Sequence, residues 1–174
     1  MSSNTEHQQL WTPAAFVLDV DGVMTTGQFL YSEAGKSYKV FGPDDADGLA
    51  LVRDLLTIHF VSSDKRGFPI SYKRISEDMG YPLDLVGSAE RADWIAERYP
   101  VDRTIYMGDG FFDQRVFSRV GYGIAPAASD PMAMASADYV CRRRAAERAV
   151  AEACVHIIKR FFSTSGKEVE GRDY

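Results

Sequence analysis

Short apolar runs, each followed by a stretch of helical spacing or a turn, recur along the chain. Residues 14–18, 58–61, 83–86, 104–107 and 122–125 are largely apolar runs of strand length, and residues 139–141 offer a sixth. Runs without strict polar alternation suit strands covered on both faces. Between them, residues 47–56 carry apolar side chains at helical spacing, residues 69–79 precede a stop at Gly80, residues 89–99 are amphipathic, and residues 113–120 end at Gly121. Residues 145–162 read as a long final helix. This alternation predicts an α/β protein with a doubly wound, Rossmann-like parallel sheet flanked by helices. One segment breaks the rhythm. In residues 25–41, Phe29, Tyr31, Tyr38 and Val40 surround the turn Ser32-Glu33-Ala34-Gly35-Lys36, which predicts a β-hairpin inserted after the first strand in place of a large cap domain.

Composition narrows the picture. A chain of 174 residues with 45% apolar content can bury one substantial core, so a single domain is expected over residues 1–162, with residues 163–174 as a loose polar tail. The tail reads as a frayed end, with reach toward a neighbouring subunit's site as the alternative. A net charge of -5 disfavours nucleic acid and membrane surfaces, both of which attract basic faces, and favours a small-molecule partner. No apolar run approaches the roughly 20 residues that span a bilayer, and residues 1–9 are polar without a signal-peptide core, so a cytoplasmic location is expected. Cys141 and Cys154 are too few and too far apart for a disulfide framework or a zinc site and read as unpaired, partly buried thiols.

The candidate chemistry begins where the first apolar run ends, in Phe16-Val17-Leu18-Asp19-Val20-Asp21-Gly22. In an extended chain Asp19 and Asp21 share a face, at the carboxyl end of a strand, where open parallel sheets bind ligands. Two like charges there call for a cation, and Mg²⁺ takes oxygen ligands while leaving one carboxylate free to attack a phosphoryl group. A strand followed by an Asp-Gly turn is the plainer alternative. Asp109, in Tyr106-Met107-Gly108-Asp109-Gly110, also follows an apolar strand and is positioned to supply a further oxygen to the same ion. Asp113 reads as the N-cap of the next helix, or as a residue that steadies a metal ligand from behind. Ser62 and Ser63 follow another strand, where a hydroxyl and turn N–H groups can hold phosphate oxygens, though Ser-Ser-Asp also caps helices.

Taken in order, these segments resemble the haloacid dehalogenase superfamily of phosphatases. Asp19-x-Asp21-Gly22-Val23-x-Thr25 is similar to its nucleophile motif, Ser62 falls where it carries Ser or Thr, and Gly108-Asp109-x-x-x-Asp113 resembles its acidic metal motif. With a hairpin for a cap, and with Lys39-x-Phe41 and Asp45-x-x-Gly48 after it, the chain most resembles the capless octulosonate- and sialic-acid-type sugar phosphatases. The resemblance implies Asp19 as nucleophile, Asp21 as acid/base, Ser62 beside the phosphoryl group, and Mg²⁺ held by Asp19, Asp21 (through its backbone carbonyl) and Asp109. Gly22, Ser62, Ser63 and Arg91 are the implied phosphate contacts. The departures from the family are Arg91 at the place of a bridging lysine, Ser62-Ser63-Asp64 for Thr-Gly-Arg, Gly110 for a second acidic residue, and Arg142-Arg143-Arg144-Ala145-Ala146-Glu147-Arg148 for a glycine-rich loop. For Arg91, a solvated helix-face arginine is the alternative. Lys65, Arg66 and the Arg142 to Arg144 cluster read as a solvated face, with contact to an acidic substrate as the alternative, and stay outside the catalytic set. The expected function is hydrolysis of a small sugar-type phosphate monoester through an aspartyl-phosphate, with a degenerate binding or assembly module as the alternative and a phosphotransferase as a third, weaker reading. Without a cap, neighbouring subunits would cover the site, and the apolar hairpin face formed by Phe29, Leu30, Tyr31 and Tyr38 predicts a homotetramer.

Overall fold

The computed structural model describes residues 11–163. In chain order the elements are β1 (Ala15–Asp19), β2 (Leu30–Ser32), β3 (Gly35–Tyr38), α1 (Asp45–Val52), β4 (Thr57–Ser62), α2 (Phe68–Tyr72), β5 (Leu83–Leu85) and α3 (Arg91–Arg98). They continue as β6 (Thr104–Met107), α4 (Gln114–Phe117), β7 (Tyr122–Ala127), α5 (Pro131–Ser136), β8 (Tyr139–Arg144) and α6 (Ala149–Ile157). Six strands form one sheet in the order β5-β4-β1-β6-β7-β8, parallel at every pairing. This is the doubly wound α/β fold that the apolar runs predict.

β1 lies at the centre, fully buried, and its alternating side chains feed two cores. Phe16 and Leu18 join Leu49 and Val52 of α1, Ile75, and Val150, Ala153 and Cys154 of α6 on one face. Val17 joins Val61, Ile95 of α3, Tyr106, Val116 and Phe117 of α4, and Ala133 of α5 on the other. The chain leaves β1 toward β4 on one side and returns in β6 on the other, so strand order reverses at β1 and a crevice opens at its carboxyl end. Register sets what faces that crevice. Asp19 lies opposite Val61, and Leu18 lies opposite Met107, which brings Asp19 level with Gly108 and places Ser62 one residue beyond it.

The hairpin forms as the pattern predicts: β2 and β3 pair antiparallel, a bridge between Thr25 and Phe41 closes the base, and Gly35 turns at φ +108°. Leu30, Tyr31 and Tyr38 are 51%, 61% and 68% exposed. Cys141 and Cys154 are buried free thiols. Among the described residues no helix is long and apolar enough to cross a membrane. Residues 1–9 and the tail beyond Ser163 lie outside the described residues.

Four local differences from the sequence pattern have physical causes. The segment expected as one helix over 69–79 is α2 followed by a π-turn at Lys73–Asp78, and it stops at Gly80 with φ +77°. The segment expected as a helix over 113–120 is a 3₁₀ turn at Phe111–Asp113 followed by the short α4, because Asp113 folds back onto the turn before it. The last helix starts at Ala149, not at 145, because Glu152 accepts bonds from Arg142 N and Arg143 N and keeps β8 extended to Arg144. α5 has no counterpart in the sequence reading, although Asp130 caps it by accepting from Met132 N at 2.8 Å and Pro131 opens it.

Candidate active site

Asp19 ends β1 with its carboxylate turned into the crevice. Val20 N donates to its Oδ1 at 2.7 Å, and Arg91, the first residue of α3, grips both oxygens, Nη1 to Oδ2 at 2.6 Å and Nη2 to Oδ1 at 3.0 Å. Arg91 is only 3% exposed, which settles the choice that the sequence leaves open: it is a buried partner of Asp19 and not a solvated helix-face residue. Its Nη1 also reaches Tyr106 Oη at 2.9 Å and Asp113 Oδ1 at 3.0 Å, while its buried Nε has no hydrogen-bond partner among the described residues.

Asp113 occupies the N-cap position of α4, as its place in the sequence predicts, but its side chain makes no capping bond to that helix. Its Oδ1 accepts from Tyr106 Oη at 2.6 Å as well as from Arg91, and its Oδ2 accepts from the backbone N–H groups of Asp109 and Gly110 at 3.0 and 2.8 Å. It thereby folds the 109–113 loop back on itself and aims Asp109 at Asp19. Glycine is required twice in this arrangement. A Cβ on Gly108 would lie 2.6 Å from the Asp113 carboxyl carbon, and one on Gly22, whose φ is +84°, would overlap Asp109 Oδ2.

Oxygens of Asp19, Asp109 and Asp113 lie within 4.8 Å of one another. The concentration of negative charge shows in their acidities. Burial, and then the charges of Asp19 and Asp113, push the Asp109 carboxyl up to about 8, and burial pushes Asp19 up to about 6 against the pull of Arg91. One guanidinium cannot balance three carboxylates, so the cluster calls for protons or a cation. Hard oxygen donors at this spacing fit a divalent ion such as Mg²⁺. Both oxygens of Asp113 are committed to N–H and O–H donors, so it steadies the loop, while both oxygens of Asp19 are held by Arg91 and Asp109 is turned toward it.

Asp21, expected among the metal ligands, keeps its carboxylate out of this cluster. Lys39 Nζ lies 2.8 Å from each of its oxygens, Ser62 Oγ donates at 3.3 Å, and Thr25 Oγ1 at 3.4 Å. Ser62 is buried and accepts from Asp64 N at 3.1 Å, whereas Ser63 is exposed and takes a bond from Ser88 Oγ. The structure thus brings Asp19, Asp109 and Arg91 together on one side of the crevice and Asp21 with Ser62 on the other, and leaves Ser63 at the rim. Sequence reasoning missed Lys39 and Tyr106. Lys39 stands in a motif noticed only for its resemblance, and Tyr106 is one apolar-run residue among many. A cavity of about 270 Å³ adjoins the cluster, lined by Gly22, Thr26, Gln28, Asp109, Ser129 and Arg144.

No family model matches the chain. The 3-deoxy-D-manno-octulosonate 8-phosphate phosphatase of Haemophilus influenzae is 31% identical over 116 residues, 64% of this chain and 63% of that protein, so the match spans less than two thirds of this relative's length. Among solved structures, the cobalt-bound form of the Haemophilus influenzae phosphatase superposes with a TM-score of 0.77 at 24% identity, covering 91% of this chain and 97% of that one. The Moraxella catarrhalis phosphatase, solved with magnesium, phosphate and KDO, gives a TM-score of 0.75 at 22% identity over 85% and 87% of the two chains. The chain therefore has the haloacid dehalogenase fold and, within it, resembles the octulosonate phosphatases.

Proposed function

We propose that this chain is a divalent-metal-dependent phosphatase that hydrolyses a small sugar-type phosphate monoester through an aspartyl-phosphate. The observation that carries the reading is the convergence of the Asp19, Asp109 and Asp113 oxygens within 4.8 Å at the strand-order reversal, with Asp21 and Ser62 across the same crevice. The names of the similar phosphatases support the substrate class, and the metals in the two solved neighbours support Mg²⁺ or a related ion.

In the first step an oxygen of Asp19 bonds to phosphorus as the ester P–O bond breaks, and Asp21 gives its proton to the departing alkoxide. In the second, Asp21 takes a proton from water as that water attacks phosphorus. Phosphate leaves, and the Asp19 carboxylate is restored. Arg91 orients Asp19 and offers positive charge beside the transferring oxygens, while Ser62 stands next to Asp21 to hold the phosphoryl group. Asp19, Asp109 and the backbone carbonyl of Asp21 would hold Mg²⁺, which would supply charge neutralisation for the phosphoryl oxygens. Phosphate monoester hydrolysis requires about 20 kcal/mol or more of barrier lowering, so positioning and electrostatics carry most of the work. The exposed face of Leu30, Tyr31 and Tyr38 supports a homotetramer joined through the hairpins, and free buried cysteines suit the cytoplasm.

A second reading has one observation in its favour: Arg91 occupies both oxygens of Asp19, as expected of a degenerate member kept for binding or assembly. Phosphate release with Mg²⁺ over a panel of sugar phosphates separates the two. The phosphatase reading expects release that Asp19→Asn reduces to background. Equal background release from parent and variant establishes the binding module instead.

A further inference from the structure

Asp21 is held by a residue that the phosphatase chemistry does not itself require. Lys39 follows β3 at the exit of the hairpin, and its side chain is 0% exposed. Nζ lies 2.8 Å from both oxygens of Asp21, 2.8 Å from Ser71 Oγ and 2.9 Å from Asp64 Oδ2. An ammonium has three protons, and three acceptor groups surround this one, so its direction is set. Asp64 is anchored in turn by Lys36 at 2.6 Å and by Gly67 N at 3.1 Å, and these contacts with Lys39 hold its carboxyl down at about 2. The other bonds to Asp21, from Ser62 and Thr25, are longer, at 3.3 and 3.4 Å. A buried ammonium is costly unless paired, and here it is shared between two carboxylates, one of them the proposed acid/base.

We infer that Lys39, backed by Asp64 and Ser71, is a positioning residue that fixes the direction in which Asp21 presents its carboxyl to the leaving oxygen. The inference rests on the phosphatase reading, and it has a consequence that an ion pair serving only to fasten the hairpin lacks. Proton delivery matters for an alkoxide leaving group and little for nitrophenolate, which departs without a proton. Because kcat/KM reports only steps up to the first irreversible one, it isolates departure of the leaving group from hydrolysis of the intermediate.

The test compares kcat/KM for the fastest sugar phosphate of the panel and for p-nitrophenyl phosphate, in the parent, Lys39→Met, Lys39→Gln and Lys36→Met, with thermal melts to verify folding. Lys39→Met is expected to lower the sugar-phosphate value about 100-fold, in the range of a general acid's contribution, and the p-nitrophenyl value less than about threefold. Lys39→Gln, which keeps a donor, is expected to fall between and carries the comparison should Lys39→Met not fold. Lys36→Met, which removes the 2.6 Å anchor of Asp64 without touching Asp21, is expected to move the ratio of the two esters in the same direction as Lys39→Met and by less. An equal fall for both esters in the Lys39 variants, or no fall, overturns the inference while leaving the phosphatase reading in place. A parent that turns over neither ester overturns both.

Discussion

Without a metal ion, the stability of this protein should depend on pH in a direction set by the acid cluster. The carboxyl of Asp109 is pushed up to about 8 and that of Asp19 to about 6, both by burial first, against an ordinary value of 3.8. The folded state therefore binds protons more tightly than the unfolded chain. That stabilisation is complete below the unfolded value and is lost as pH rises through 6 and then 8. Each pH unit across the window shifts stability by about 1.4 kcal/mol per proton. Between pH 8 and pH 5, Asp109 alone would contribute about 4 kcal/mol and Asp19 about 1 kcal/mol, and because Asp109 is raised partly by the charge of Asp19, about 4 kcal/mol is the expected total. For a chain of this length that is roughly 10 °C in Tm.

Mg²⁺ binds the ionised forms, so its stabilising effect should be widest near pH 8–9, where the apo cluster is most frustrated, and should shrink toward pH 5, where protons compete. Asp45 provides an internal reference. It is buried away from the cluster, accepts from Ala151 N at 3.0 Å, and has its carboxyl near 6, so it bends the EDTA and Mg²⁺ curves alike. Differential scanning fluorimetry across pH 5–9, with EDTA or saturating Mg²⁺, measures both curves. Parallel curves, or a Mg²⁺ effect that grows toward acid, would refute the reasoning. In EDTA at pH 8, Asp109→Asn should raise Tm above the parent, flatten the pH dependence and abolish the response to Mg²⁺.

Three further outcomes follow from the same geometry. Gly22→Ala places a Cβ on Asp109 Oδ2 at a φ that costs a non-glycine residue about 1–2 kcal/mol, so Mg²⁺ titration of activity should show half-saturation raised about 10-fold or more. Tyr106→Phe removes a 2.6 Å donor from buried Asp113 and should cost about 1–3 kcal/mol in urea unfolding, with lower activity as the 109–113 loop loosens. A charge at the exposed hairpin face, as in Tyr31→Glu, should convert a tetramer to smaller species by light scattering, and a parent of monomeric mass at micromolar concentration refutes the hairpin interface.

The central strands were legible in the sequence because they are buried on both faces, and that condition writes itself as unbroken apolar runs. β1 and β6 are wholly buried, and the pattern places them within a residue. Elements set by a single side chain reaching across the fold were not legible. The start of α6 depends on Glu152 bonding backward to β8, and the split at Asp113 depends on bonds to N–H groups behind it. The hairpin shows the same limit more sharply. Alternation along an extended chain correctly turns Tyr38 outward, but it assigns no partner to the neighbouring Lys39, whose acceptors lie on β4's exit, on α2 and after β1.

The site residues divide along the same line. Asp19, Asp21, Ser62 and Asp109 were legible because each ends a buried strand or follows it within two residues, so topology alone delivers them to one crevice. Arg91 was legible only through the resemblance, since from the residues alone a helix's first residue can face either way. Its burial follows from what surrounds it: Nη1 and Nη2 grip the two oxygens of Asp19, a pairing that a planar fork makes and a compact ammonium does not, and Nη1 also lies within 3.0 Å of Tyr106 and Asp113. Arg91, Asp19, Tyr106 and Asp113 therefore act as one buried unit. Arg91→Lys, which cannot grip both Asp19 oxygens and leaves the other acceptors underused, should lower stability in urea unfolding, and an unchanged midpoint would refute that dependence.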